Sequence, residues 1–88
     1  MADRLVTVYT TPNWPWCHKA KEYLLQKGVA YIERSIAEEV DGMLVIGYNQ
    51  NLMEMLQKSG QQTYVPVIVI GDEVVIGFDQ CRLDSLLP

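Results

Sequence analysis

Cysteine is nearly absent from this chain: Cys17 and Cys81 are the only two, and they lie far apart. That excludes the disulfide framework on which small secreted domains usually depend, and a reducing compartment is expected. Histidine is scarcer still. With His18 alone and two distant cysteines, a four-ligand zinc site within one chain is not expected. Basic residues are few as well, 7 Lys and Arg against 11 Asp and Glu, giving a net charge of −4 with no basic cluster. Such a surface lacks the electrostatic footprint of a nucleic-acid binder. Long hydrophobic runs are missing too. No stretch approaches the roughly 20 apolar residues of a membrane span, and "MADRLVTVYT" lacks the charged head and apolar run of a leader, so a cytoplasmic protein without membrane contact is expected.

What remains is an apolar fraction of 49% in 88 residues, enough for one small domain with an unstapled core. Leu5 to Tyr9, "LVTVY", is a short β-branched and aromatic run closed by Thr, Pro and Asn, which reads as a buried strand. From Trp16 the period becomes helical, through Ala20, Tyr23 and Leu24, with Gly28 as the stop. Val29 to Ile36 alternates as a second strand. Asn51 to Lys58 forms a second helix, with Asn49 a candidate cap and Ser59-Gly60 its end. Val65 to Ile70, "VPVIVI", is an apolar run that Gly71-Asp72 turns back into "EVVIGF" as a hairpin. Asp79 can then cap a last helix reaching Leu87.

The expected order is strand, helix, strand, helix, strand, strand, helix. A right-handed first crossover gives parallel strands and the closing hairpin is antiparallel, so a four-stranded mixed sheet with helices on both faces is predicted. One segment stands outside this plan. Val40 to Tyr48, "VDGMLVIGY", is rich in Val, Ile and Leu, and predicts either an extra edge strand or a dimer contact. An internal echo also runs through it: "VIGYNQNLMEML", Val45 to Leu56, matches "VIGFDQCRLDSL", Val75 to Leu86, thirty residues on. One strand-turn-helix recipe used twice, by chance or local duplication, accounts for it.

The chemistry concentrates in "TTPNWPWCHKA". Pro15 suits a first helical turn, where its missing N–H has no partner to lose, and Cys17 falls in that turn. The positive end of a helix favours thiolate, and Lys21 and His18 can add to that field, whereas burial would raise the thiol pKa. Exchange between disulfides needs a second sulfur, usually in a Cys-x-x-Cys pattern, and here the residues are Trp14-Pro15-Trp16-Cys17.

The sequence resembles the glutaredoxins, small members of the thioredoxin superfamily, over most of its length. "VTVYTTPNWPWCHKAKEYLLQKGVAYIERSI" is similar to the family's first half and "SGQQTYVPVIVIGDEVVIGFDQCRLDSLL" to its second. The resemblance implies one thioredoxin-like domain over residues 1–88, with a lengthened connection at about 40–48. It implies reduction of protein or glutathione mixed disulfides, in which the residue at position 14 attacks and Cys17 resolves. Where the family has its attacking cysteine, however, this chain has Trp14, so impaired two-thiol activity is expected. Pro66 in "YVPV" matches the family's cis-proline, with Val65 offering backbone hydrogen bonds to an extended peptide or glutathione. Gly77, Phe78 and Asp79 match the turn that receives the γ-glutamyl carboxylate of glutathione. Thr11 stands where many glutathione-using members have lysine, which leaves a thioredoxin-reductase-coupled type open beside glutathione as co-substrate. No bound cofactor, metal or iron–sulfur cluster is expected, because clusters of this family use the missing thiol. The alternative is a redox-inactive module that holds a peptide or glutathione in a groove of Trp14, Trp16, Val65, Pro66 and Phe78. Cys81 is expected as an ordinary buried residue of the last helix.

Overall fold

The computed structural model describes residues 5–11, 14–46, 49–61 and 65–87. Nine elements follow one another: β1 (Val6–Thr10), α1 (Pro15–Gln26), β2 (Ile32–Ser35), β3 (Ala37–Val40), β4 (Met43–Ile46), α2 (Gln50–Ser59), β5 (Val67–Ile70), β6 (Glu73–Ile76) and α3 (Gln80–Leu86). Four strands form the mixed sheet in the order β2-β1-β5-β6. β1 runs parallel to β2 and antiparallel to β5, and β5 closes a hairpin with β6.

The apolar run "VIVI" has no polar alternation because both faces of β5 are covered. Ile68 and Ile70 join Val6, Val8, Ala20, Leu24 and Leu83 in a core under α1 and α3. Val67 and Val69 face the other way, with Tyr9, Leu52 and Met55 under α2. Successive side chains of a strand point to opposite faces, so one continuous apolar strand is shared between two helical layers. Helices α2 and α3 are capped as their sequences suggest. Asn49 Oδ1 accepts from the Leu52 N–H at 2.8 Å, Asp79 Oδ1 accepts from the Arg82 N–H at 3.2 Å, and α2 stops at Gly60 with φ of 69°, a conformation that favours glycine. No helix among the described residues is long and apolar enough to cross a membrane.

Two departures from the sequence expectations concern the middle of the chain. The second strand is shorter than Val29 to Ile36, because Val29 and Tyr31 pack half-buried against the core before the pairing begins at Ile32. The apolar insertion adds no edge strand to the main sheet. It forms a separate two-stranded sheet, β3 with β4, that starts already at Ala37 and turns at Asp41-Gly42. The chain leaves the main sheet at Ile36, whose side chain is fully buried and whose N–H donates to the Thr10 carbonyl at 2.9 Å. The Tyr48 end of the predicted segment lies outside the described residues.

The internal echo extends beyond the matched letters. β3, β4 and α2 begin at Ala37, Met43 and Gln50, while β5, β6 and α3 begin at Val67, Glu73 and Gln80, a constant spacing of thirty. The registers agree as well: Ala37 pairs with Ile46 as Val67 pairs with Ile76, and Val40 with Met43 as Ile70 with Glu73. Asn49 and Asp79 cap their helices through the same side-chain bond. The molecule therefore holds two hairpin-helix units of one design, of which only the second is built into the main sheet.

Candidate active site

The end of β1 delivers the chain to the start of α1. Trp14 is the N-cap residue, with extended backbone and no side-chain cap, and Pro15 opens the helix. The Trp14 N–H donates to the Thr11 carbonyl at 3.2 Å, and the Cys17 N–H donates to the Trp14 carbonyl at 3.1 Å. This tight turn sets two residues apart by environment. Cys17 is 1% exposed, whereas Trp14 is 49% exposed. Cys17 follows the packing stripe of α1, joining Ala20, Tyr23 and Leu24 on its buried side. Trp16 shares the helical spacing of that stripe but stays 51% exposed, while its neighbour Cys17 in the same turn is buried.

Burial pushes the Cys17 thiol pKa up, and it outweighs the hydrogen bonds from the Thr11 backbone and side chain and the charge of Lys21, all of which act to lower it. The sulfur sits at the predicted helical entrance as a protonated thiol at neutral pH. Thr11 thus has a role that the sequence alone did not disclose: it is a direct partner of the thiol. Glu33 is a second residue that sequence reasoning missed. It accepts from Thr10 Oγ1 at 2.8 Å and from Lys21 Nζ at 3.0 Å. Burial works against its charge, yet these two bonds and the charges of Lys21 and His18 hold its carboxyl below the usual range. Its charge in turn raises Cys17. No local signal could have found Glu33, because it reaches the site through the pairing of β2 with β1. His18 is exposed, as its helical phase implies, and its charge is felt at Glu33.

The second half of the chain supplies the other candidate residues. The Val65–Pro66 peptide is cis, and the Pro66 carbonyl accepts from the Gly77 N–H at 2.7 Å, which joins the loop before β5 to the corner after β6. Phe78 then reaches α1. Its ring centroid lies 6.4 Å from that of Trp16 and 5.7 Å from that of Tyr23, the latter edge to face. Of the two tryptophans, it is Trp16 whose ring contact with Phe78 is seen among the described residues. Asp79 caps α3 with its own carboxylate. Cys81 is exposed, contrary to the expectation of burial, because the apolar side of α3 is carried by Leu83 and Leu86.

The family model described as Glutaredoxin matches residues 6–75. The chain belongs to the glutaredoxin family. A glutaredoxin of Neisseria meningitidis is 40% identical, over 91% of this chain and 85% of its own length. Glutaredoxin 3 of Escherichia coli is 35% identical over 84% of this chain and 77% of its own. Among solved structures, the glutaredoxin of Archaeoglobus fulgidus superposes with a TM-score of 0.75 at 26% identity, covering 94% of this chain and 85% of that one. The thioredoxin-like mixed sheet with three helices is thus the glutaredoxin fold.

Two tyrosines tie this glutaredoxin fold together and give it a pH signature. Tyr9 donates to Glu54 Oε1 at 3.0 Å, linking β1 to α2, and Tyr23 donates to Asp84, linking α1 to α3. Burial first, then the bond to the carboxylate and its charge, push each phenol pKa up to about 12. A phenol raised in the folded state keeps its contribution below its unfolded value near 10 and loses it as pH rises through the folded one. Denaturant unfolding should therefore show stability falling between about pH 10 and 12, and Tyr23→Phe should flatten part of that decline. An identical alkaline slope in the variant would contradict this assignment.

Proposed function

We propose that the protein is a glutaredoxin-like thiol–disulfide oxidoreductase whose two-thiol reduction of protein or glutathione mixed disulfides is feeble as the sequence stands. The observation that carries this reading is the inversion at the helical entrance: the exposed position holds an indole and the buried one holds the thiol. An attacking thiolate must be ionised and reachable, and Cys17 is neither. In the family's reaction it is suited to the second step, in which an internal thiol displaces a client already bound at position 14. Val65, Pro66, Gly77 and Phe78 would hold the client's backbone and Asp79 would begin the helix behind it. Disulfide-bearing proteins or glutathione are the substrates, and glutathione or a dithiol reductase returns the electrons. Two free cysteines fit a reducing, cytoplasmic setting. Reduction of hydroxyethyl disulfide tests the reading: it should be near background for the unaltered chain and appear in the Trp14→Cys variant.

A second reading is favoured by the half-exposed Trp16 resting on Phe78. In this reading the groove binds an extended peptide or glutathione without exchange. Millimolar glutathione should then change the tryptophan emission, and an unchanged spectrum would exclude glutathione as its ligand.

A further inference from the structure

The first hairpin-helix unit leaves open an edge that its counterpart fills. In the second unit, β5 pairs through its outer edge with β1, from Val67 opposite Tyr9 to Ile70 opposite Val6. β3 stands at the same place in the first unit, and among the described residues its outer edge pairs with no strand. With a two-residue turn at Asp41-Gly42, Val40 and Glu38 direct their main-chain groups to β4 and Ala37 and Glu39 direct theirs outward. Ser35 Oγ bonds to the N–H and the carbonyl of Ala37, leaving those of Glu39. Strand edges of this kind accept an extended segment through main-chain hydrogen bonds, with side chains opposite setting the choice of partner.

The side chains of β3 say which segment fits. Glu38 and Glu39 are both exposed and follow one another, and Asp41 continues the charge into the turn. No basic residue lies between Ile36 and Gln57. A second copy of this chain would be a poor occupant. Its own β3 would oppose glutamate with glutamate, and of all its strands only β2 carries a basic residue, Arg34. Like charges across a strand pair destabilise it and opposite charges favour it. The location gives the edge its use. β2 ends at Ser35 beside Thr10, from which the chain runs through Thr11 to Trp14 and Cys17, so β3 leaves the sheet at the active-site end. Val40, Met43 and Val45, 40–67% exposed, flank it with apolar surface.

We infer that the outer edge of β3 is a docking strand for an extended basic segment of a client protein, bound antiparallel as β1 is bound by β5. This rests on the redox reading only in taking the partner to be its client; the binding itself requires no thiol.

The test uses the full chain and a fluorescein-labelled, cysteine-free peptide of alternating lysine and valine, (Lys-Val)4, followed by anisotropy. It should bind, bind less tightly as salt rises, and lose about fivefold or more in affinity when Glu38→Gln and Glu39→Gln are combined. The glutamate counterpart, (Glu-Val)4, should not bind. Hydrogen exchange should slow at Glu39 on adding the lysine peptide. Equal binding of both peptides, unchanged affinity in the double variant, or protection confined to other segments would overturn the inference. So would light scattering that shows a dimer abolished by the same two substitutions. Failure of Trp14→Cys to reduce disulfides would sink the redox reading and leave this result untouched, since the peptide holds no sulfur.

Discussion

The Trp14→Cys variant should reduce hydroxyethyl disulfide about 100-fold faster than the unaltered chain, because it would place a second, exposed sulfur beside Cys17, as thiol–disulfide exchange requires. The position is suited to an attacking thiol. Trp14 is the N-cap of α1, half-exposed, and no acidic residue of the first turn opposes the positive end of the helix. A sulfur there would be ionised more readily than a free cysteine and open to a client. Its thiolate would attack one sulfur of the client, forming a mixed disulfide and releasing the other half as thiolate. Cys17 would then lose its proton and attack Cys at position 14, freeing the client thiol and leaving an internal disulfide that glutathione or a dithiol reductase reduces. Adding Cys17→Ser to the variant should spare glutathione-driven turnover and, in the absence of glutathione, trap protein clients as mixed disulfides at position 14. Background turnover by Trp14→Cys would refute the redox reading for this chain.

The unaltered protein offers a second large effect. Under native conditions iodoacetamide should label Cys81 about 100-fold faster than Cys17, and the two rates should converge in denaturant. Cys81 is exposed, while Cys17 is 1% exposed and its thiol is held up by burial. Alkylation of Cys17 thus needs both proton loss and an opening of the first turn of α1. Peptide mapping by mass spectrometry at successive times measures both rates in one sample. Comparable native rates would show that the Thr11 and Lys21 interactions outweigh burial after all, and Cys17 would become a candidate nucleophile in its own right.

The sequence was legible where one local rule dominates. "LVTVY" and "VIVI" could be read as strands because short β-branched runs bounded by turn residues suit a doubly covered sheet, though Leu5 itself is exposed and β1 starts at Val6. Asn49 and Asp79 were readable as caps from residue type and spacing alone. It was less so where partners are distant. "AEEV" has no alternation and two adjacent charges, so β3 could be seen only through the register of its hairpin, and Glu33 enters the site across the β1–β2 pairing. Trp16 shows the limit of periodicity: it repeats at the spacing of the core stripe, yet it is half-exposed while Cys17 beside it takes the buried place. For Cys17 the elements were placed correctly, but the contest between helix end and burial depends on packing that no spacing encodes.

The stem of the first hairpin is closed from below. Asn51 Nδ2 donates to the Ser35 carbonyl at 2.8 Å and Asn49 Nδ2 donates to the same oxygen at 3.4 Å, so the two ends of the excursion are clasped by side chains outside it. Because the clasp brings those ends together whatever lies between, segments of other length and composition can be exchanged there at little entropic penalty. The fold thus carries a socket beside its reactive end, into which a different recognition element can be spliced without rebuilding the scaffold.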